Sequence, residues 1–338
     1  MRPIFQPRLV NGPFGDPALY VDVLFERRAL LFDLGDIAAL SPRRLLRTGH
    51  VFVSHAHMDH FIGFDRLLRV CLGRPRPLAL YGPARFIGQV EHKLAAFTWN
   101  LVENYVVDLG LVVHEVTGDG RLRRAMFSSR ERFARRDLDS VPLEEGRLLV
   151  EPAFEVRCDV LDHRTPCLGF AIQEARHVNV WGNRLAELGI LPGPWLQDVK
   201  HAMLAGAPDD TEFTVAAAGT GVGTERTLTL GLLRDLVLRI VPGQKIVYVT
   251  DAAYHEENVG RIVNLAAGAD LLFIECTFLD ADAADAERKA HLTARQAGSI
   301  AREAGVSVLV PFHFSPRYGG RESELRAEAQ AAFGGVVA

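Results

Sequence analysis

The stretch VFVSHAHMDHFIGF, residues 51–64, constrains this chain more than any other, because a β-branched run ends there in the pattern H-x-H-x-D-H. Residues two apart in an extended segment face the same side, so His55 and His57 can converge on one ion. Asp59 and His60 then turn with the chain into the next helix and can address a second ion. Imidazole and carboxylate suit Zn²⁺. A solvated, His-rich loop is the competing reading, and it requires no partners elsewhere. The chain supplies them. His163 follows VRCDVLD, Asp251 ends KIVYVTD and His313 follows VSVLVPF. Each stands where an apolar strand stops, the sheet edge at which α/β enzymes gather their sites.

The elements between these points alternate. ALYVDVLF and RALLFDLGD read as short strands, and Ser41-Pro42 before RRLLR reads as an N-cap with Pro at the first helical position. IGFDRLLRVCL, FIGQVEHKLAAFTWNLV and TARQAGSIAREAG carry apolar residues at helical spacing. RPLALYG, LLVEPAFEVRCDVLDH, CLGFAIQEA, KIVYVTD, ADLLFIECTF and VSVLVPFHF read as strands. A strand-rich front end followed by alternation favours layered mixed sheets over a purely parallel sheet.

With no internal repeat, residues 1–338 read as one domain carrying two insertions, 118–148 and 176–226. The first holds seven arginines between Arg121 and Arg136, either a solvated helical face or a patch for nucleic acid. The second contains ILPGPWLQDVK and the Gly-rich GTGVGT, 219–224, which lacks dinucleotide-binding spacing and reads as a flexible loop. His255-Glu256-Glu257 lacks the H-E-x-x-H spacing and reads as an exposed loop. No G-x-S-x-G elbow supports a serine hydrolase.

A hydrophobic content of 48% with 24% charged residues allows a large core and excludes a disordered chain. The net charge of −4 gives no global pull toward nucleic acid, which would need a local basic patch or metal ions. Cys71, Cys158, Cys167 and Cys276 form no C-x-x-C pair and read as reduced thiols of a cytoplasmic protein. The N-terminus has Pro and charge where a signal peptide needs an apolar core. No run of about 18 apolar residues suggests a membrane span.

The order H-x-H-x-D-H, a later His, an Asp after a strand and a final His resembles the ligand order of the metallo-β-lactamase superfamily. LDHRTPCLGFAI, IECTF followed by HLTARQAGSIAREAG, VLVPFHFSPRY and ILPGPWLQDVK are similar to segments of the ribonuclease Z family. The resemblance spans residues of about 50–320 in the family's order. It implies a four-layer αββα sandwich of two mixed β-sheets flanked by helices. It also implies two Zn²⁺, with Mn²⁺ or another divalent ion as a substitute. One would take His55, His57 and His163, the other Asp59, His60 and His313, with Asp251 bridging.

By the same resemblance, Asp59 orients or deprotonates the attacking water, and His291, oriented by Glu275, assists the leaving oxygen. Asp33 in FDLGD reads as a support for the ligands or as a turn carboxylate. The implied activity is endonucleolytic removal of the 3′ trailer from precursor tRNA by a homodimer. Two other readings stand beside it: a same-fold hydrolase of small phosphodiesters or other esters, and a non-catalytic RNA-binding scaffold. The chain departs from the family where Thr250-Asp251-Ala252 replaces Gly-Asp-Thr and where the usual N-terminal Gly-Thr-Gly turn is missing. Its arm is also poor in lysine, with Lys200 alone in the segment after Gly193-Pro194.

Overall fold

The computed structural model describes residues 4–338 apart from Phe25, residues 75–76, Arg176 and residues 218–224, so GTGVGT lies outside the described residues. Sheet one follows chain order: β1 (Phe5–Leu9), β2 (Leu19–Val23), β3 (Arg28–Phe32), β4 (Thr48–Phe52), β5 (Leu78–Gly82), β6 (Gly110–Val116), β7 (Arg121–Ser128) and β8 (Arg135–Pro142). β3 to β6 run parallel and the outer pairs antiparallel. Between them lie α1 (Pro42–Leu45), α2 (Met58–Phe61), α3 (Phe64–Cys71) and α4 (Phe86–Ala95). α3 buries Phe64, Leu67, Leu68 and Cys71, the i, i+3, i+4, i+7 stripe of a helix lying on a sheet.

β9 (Arg147–Val150), β10 (Phe154–Asp162) and β11 (Pro166–Glu174) belong to sheet two. The run LLVEPAFEVRCDVLDH is therefore two strands, broken at residues 151–153, where Pro152 has no N–H for a ladder.

Residues Glu174–Gly243 form a compact unit of their own. It holds β12 (His177–Val180), α5 (Gly182–Glu187), α6 (Trp195–Leu204), β13 (Glu212–Ala216), β14 (Glu225–Thr229), α7 (Leu230–Leu236) and β15 (Leu238–Val241). β12 pairs with β15 and β13 with β14. Its core gathers Val178, Leu185, Trp195, Val199, Val215 and Leu233. Trp195 thus anchors this core, while Trp181 is 45% exposed. The stretch 176–226 falls within this unit.

The larger unit closes with β16 (Lys245–Val249), α8 (Glu256–Ala266), β17 (Leu271–Glu275), α9 (Ala283–Lys289), α10 (Ala294–Glu303), β18 (Val308–Phe312), α11 (Glu322–Phe333) and β19 (Val336–Val337). Sheet two is ordered β19-β18-β17-β16-β11-β10-β9, with β16 to β19 parallel.

Alternation along the central strands makes the layers. Val51 and Val53 enter the core under the helices of sheet one, while Phe52 enters the core between the sheets. In β16, Ile246 and Tyr248 face that same inner core, while Val247 and Val249 pack toward α8 and α10. Strands buried on both faces need near-continuous apolar runs, which VFV and IVYV provide. The result is the four-layer αββα sandwich of two mixed sheets.

Two local devices fix the walls near the site. Phe32, Phe52 and Tyr81 stack across β3, β4 and β5 at 4.9 and 4.7 Å between ring centroids. A capping box of Thr293 and Gln296 starts α10, and a Cβ on its Gly298 would meet Ala329 O of α11 at 2.4 Å. Only glycine permits that approach.

The arginine run is not a helical face. Five of its seven arginines lie on β7 and β8, with Arg130 and Arg132 in the turn between; Leu122, Ala125 and Phe127 are buried while Arg121, Arg123, Arg135 and Arg136 are exposed. A register shift between Leu122 and Arg124 hides the two-residue period in the sequence. Residues 118–148 therefore add two strands to sheet one. His255 is likewise no loop residue: it caps α8, its Nδ1 accepting from the Asn258 N–H at 3.3 Å.

Candidate metal centre

β4 runs on through Val53 and Ser54 to His55, and His57 occupies the N-cap of α2, whose first turn carries Asp59 and His60. The opening cluster thus spans a strand exit and a helix start. His163 stands in the turn between β10 and β11; Asp251, Glu275 and His313 stand at or just beyond the ends of β16, β17 and β18. The parallel strands of both sheets deliver their carboxyl ends to one place.

Asp251 is the meeting point. Its Oδ2 lies 3.6 Å from His55 Nε2, 3.4 Å from His60 Nε2 and 3.5 Å from His163 Nε2. Its Oδ1 lies 2.9 Å from His313 Nδ1 and 3.8 Å from His291 Nδ1. Asp59 Oδ2 lies 3.4 Å from His60 Nε2 and 3.5 Å from His313 Nε2. The His55 ring is 4.3 Å from that of His57, and both lie 5.3 Å from that of His163. Three groups have ligand atoms close enough to share an ion: His55, His57, His163 and Asp251; Asp59, His60 and His313; and Asp251, Glu275, His291 and His313.

Hydrogen bonds behind the rings set which nitrogen faces the cluster. Asp33 is fully buried and accepts from His60 Nδ1 at 3.0 Å, Tyr248 OH at 3.0 Å, Ser54 Oγ at 2.9 Å and the Ser54 N–H at 2.6 Å. With its proton given to Asp33, Ser54 Oγ accepts from His55 Nδ1 at 3.1 Å. His163 Nδ1 donates to Ala290 O at 2.8 Å. His55, His60 and His163 therefore all turn Nε2 toward Asp251. Of the two readings of Asp33, support for the ligands is the one realised. Behind His291, Glu275 accepts from Nδ1 at 3.0 Å and from the Ala252 N–H at 2.8 Å.

The protonation states split. Burial, reinforced by the charge of His60, pushes the His55 imidazole down to about 2. Burial and His163 also lower His57. Burial opposes charge at His60 too, but Asp251 and Asp33 raise it well above the ordinary range. His313 goes up to about 10, Asp251 and Asp59 outweighing burial. Both Asp251 and Asp59 are held below the usual carboxylate range against burial by the neighbouring imidazoles of His313 and His60. Glu275 raises His291 against its burial.

The donor set fits a cation. His55 Nε2 and His60 Nε2 are buried and have no hydrogen-bond partner, although both face carboxylate oxygens. Buried polar atoms without partners are costly, and a shared ion satisfies them. A cavity of ≈ 410 Å³ opens on the cluster, lined among others by His57, Asp59, His291 and Lys289.

All seven ligand-type residues and the Glu275–His291 pair thus come together, whereas His255 does not join them. Sequence reasoning missed Ser54, Tyr248 and the carbonyl of Ala290. Ser54 adjoins His55 and could have been found by asking what orients that ring. Ala290 gives no signal, because its role depends on a left-handed backbone at φ 58°, shared near the site by Asp33, Arg164 and His313.

A family model described as a beta-lactamase superfamily domain matches residues 194–314. The protein named ribonuclease Z from Deinococcus radiodurans is 33% identical, over 96% of this chain and 93% of its own. That of Thermobifida fusca is 39% identical over 93% of this chain and 83% of its own. The solved metallo-beta-lactamase fold protein YhfI from Bacillus subtilis has a TM-score of 0.55 at 17% identity, covering 98% of this chain and 95% of its own, a likeness of fold.

Proposed function

This chain belongs to the ribonuclease Z family, and on that premise we propose that it removes the 3′ trailer from precursor tRNA using two divalent cations, by preference Zn²⁺. The chain is a metal-dependent hydrolase. The pair of unpartnered, buried Nε2 atoms of His55 and His60 aimed at Asp251 carries the assignment of the cations, and the likeness to proteins named ribonuclease Z supports the substrate.

His55, His57 and His163 would hold one cation, Asp59, His60 and His313 the other, and Asp251 would serve both. When bound, the pair supplies Lewis acidity, acidifying water and offsetting charge on phosphate oxygens. Asp59, half-buried at the cavity, is kept anionic and accepts the proton of the attacking water. Glu275 fixes His291 through Nδ1, which leaves Nε2 to donate a proton to the departing 3′-oxygen. The water oxygen bonds to phosphorus as the P–O3′ bond breaks, leaving a 3′-hydroxyl on the tRNA.

The unit Glu174–Gly243 is read as the arm that grips tRNA in a homodimer, and the arginines of β7 and β8 as a supplement to its single lysine. Four buried, unbridged cysteines suit a cytoplasmic location. Among the described residues, no helix is long and apolar enough to cross a membrane.

The test is incubation of the protein with a 3′-extended tRNA transcript and Zn²⁺ or Mn²⁺, with Asp59→Ala as control. Cleavage just after the acceptor stem, lost in the variant, supports the reading. An intact transcript beside turnover of a chromogenic bis-aryl phosphate would replace it with small-diester hydrolysis, the alternative that a lysine-poor arm favours. RNA binding retained without metal or turnover would indicate a scaffold.

A further inference from the structure

α9 ends beside the ligand cluster, and three consecutive residues there face three ways. Ala290, in the left-handed conformation, gives its carbonyl to His163 Nδ1. His291 turns to Glu275. Lys289 stays on the cavity wall, its Nζ 5.6 Å from the centroid of the Phe278 ring.

Lys289 is the sole lysine or arginine lining that cavity among the described residues. The imidazoles around it already answer to carboxylates, His291 to Glu275 and His313 to Asp251. Arg317 also lies over the Phe278 ring, at 5.1 Å, but its guanidinium bonds Asp285 at 2.8 Å. No carboxylate in the described residues takes up the Lys289 ammonium. An exposed ammonium with no carboxylate partner among the described residues, at the mouth of a site for phosphate esters, is available to an anion of the substrate.

Its position indicates which anion. Asp251 is buried and His291 half-buried, whereas Lys289 is exposed at the rim, its Nζ beside the Phe278 ring that His291 also approaches, at 6.1 Å between centroids. The scissile phosphate belongs beside His291 and Asp251, so the ammonium at the exposed rim meets the next phosphate along the chain. We propose that Lys289 binds a phosphate flanking the scissile diester, which makes this a site for a polynucleotide rather than for an ester with one phosphate. The inference rests on the ribonuclease reading above.

The experiment compares wild type, Lys289→Gln and Lys289→Arg, all metal-loaded, on a 3′-extended tRNA acceptor-stem RNA. A neutral methylphosphonate replaces, in turn, the linkage on each side of the cut. Lys289→Gln should lose about tenfold in kcat/KM, and Lys289→Arg should recover most of it. A methylphosphonate at one flanking linkage should cost wild type a similar factor and cost Lys289→Gln nothing further. The log–log dependence on salt should become shallower by about one for the variant. Undiminished cleavage by Lys289→Gln, or equal methylphosphonate losses in both proteins, overturns the inference while the ribonuclease reading survives. RNA left intact by wild type that hydrolyses bis-aryl phosphate removes both.

Discussion

The two ligand groups both rest on imidazoles, yet those imidazoles are shifted in opposite directions. In the group of His55, His57 and His163, burial dominates and the rings of His55 and His57 shed their protons. In the group of Asp59, His60 and His313, carboxylates crowd the rings and outweigh burial, so His60 and His313 keep theirs. His55 and His57 are ready for a cation. The second group holds protons where the cation would go. What separates them is carboxylate count: His60 faces both Asp33 and Asp251, and His313 faces both Asp251 and Asp59.

Asp251 joins the two groups, so Asp251→Ala should erase the contrast. Activity should fall at least about a thousandfold, and elemental analysis should find both cations lost. Retention of one tightly bound cation would show the groups to be independent.

A change of pH should separate them instead. His60 and His313 have raised affinities for protons, so a cation entering there must displace two, and its affinity rises with pH. Between pH 7.5 and 6.5 that affinity should drop by up to about a hundredfold, while the His55 group changes less. Titration with a competing chelator at the two pH values measures both. In the metal-free protein the sign reverses. The His313 contribution to stability is present below about pH 6.5 and is lost as pH rises toward 10. Urea unfolding should record this loss in the stripped protein and not in the loaded one.

Asp33→Asn keeps the shape behind His60 but removes the buried charge. Metal affinity should weaken by about 10- to 100-fold, as for other supports behind ligating histidines, with the second group affected first. Ser54→Ala removes the acceptor behind His55 and one of the four bonds to Asp33, whose bonds to His60 and Tyr248 remain, and should weaken the first group a few-fold, read by the same chelator titration. A larger effect from Ser54→Ala than from Asp33→Asn would reverse this order of support.

This division also explains what could be read beforehand. The contiguous half of the site, His55, His57, Asp59 and His60, was legible because strand period and helix start act on neighbouring residues. His163, Asp251 and His313 were legible as apolar runs ending in a ligand type, and the family resemblance joined them. The support was less visible. Asp33 was open to two readings, since nothing local says that β3 carries it against Tyr248 from the other sheet. The arginines of β7 and β8 allowed a helical reading because one bulge broke their alternation. Ala290 was invisible, since an alanine in left-handed backbone is set by the structure around it rather than by its own preference.

Four non-glycine residues with positive φ, Asp33, Arg164, Ala290 and His313, surround this site. Each such backbone costs on the order of 1–3 kcal/mol and persists only where the rest of the structure imposes it. A laboratory selection for heat resistance alone would therefore draw glycine or asparagine into these positions first. At Asp33 and His313 the gain in melting temperature would come with loss of the very groups that a selection for turnover would restore.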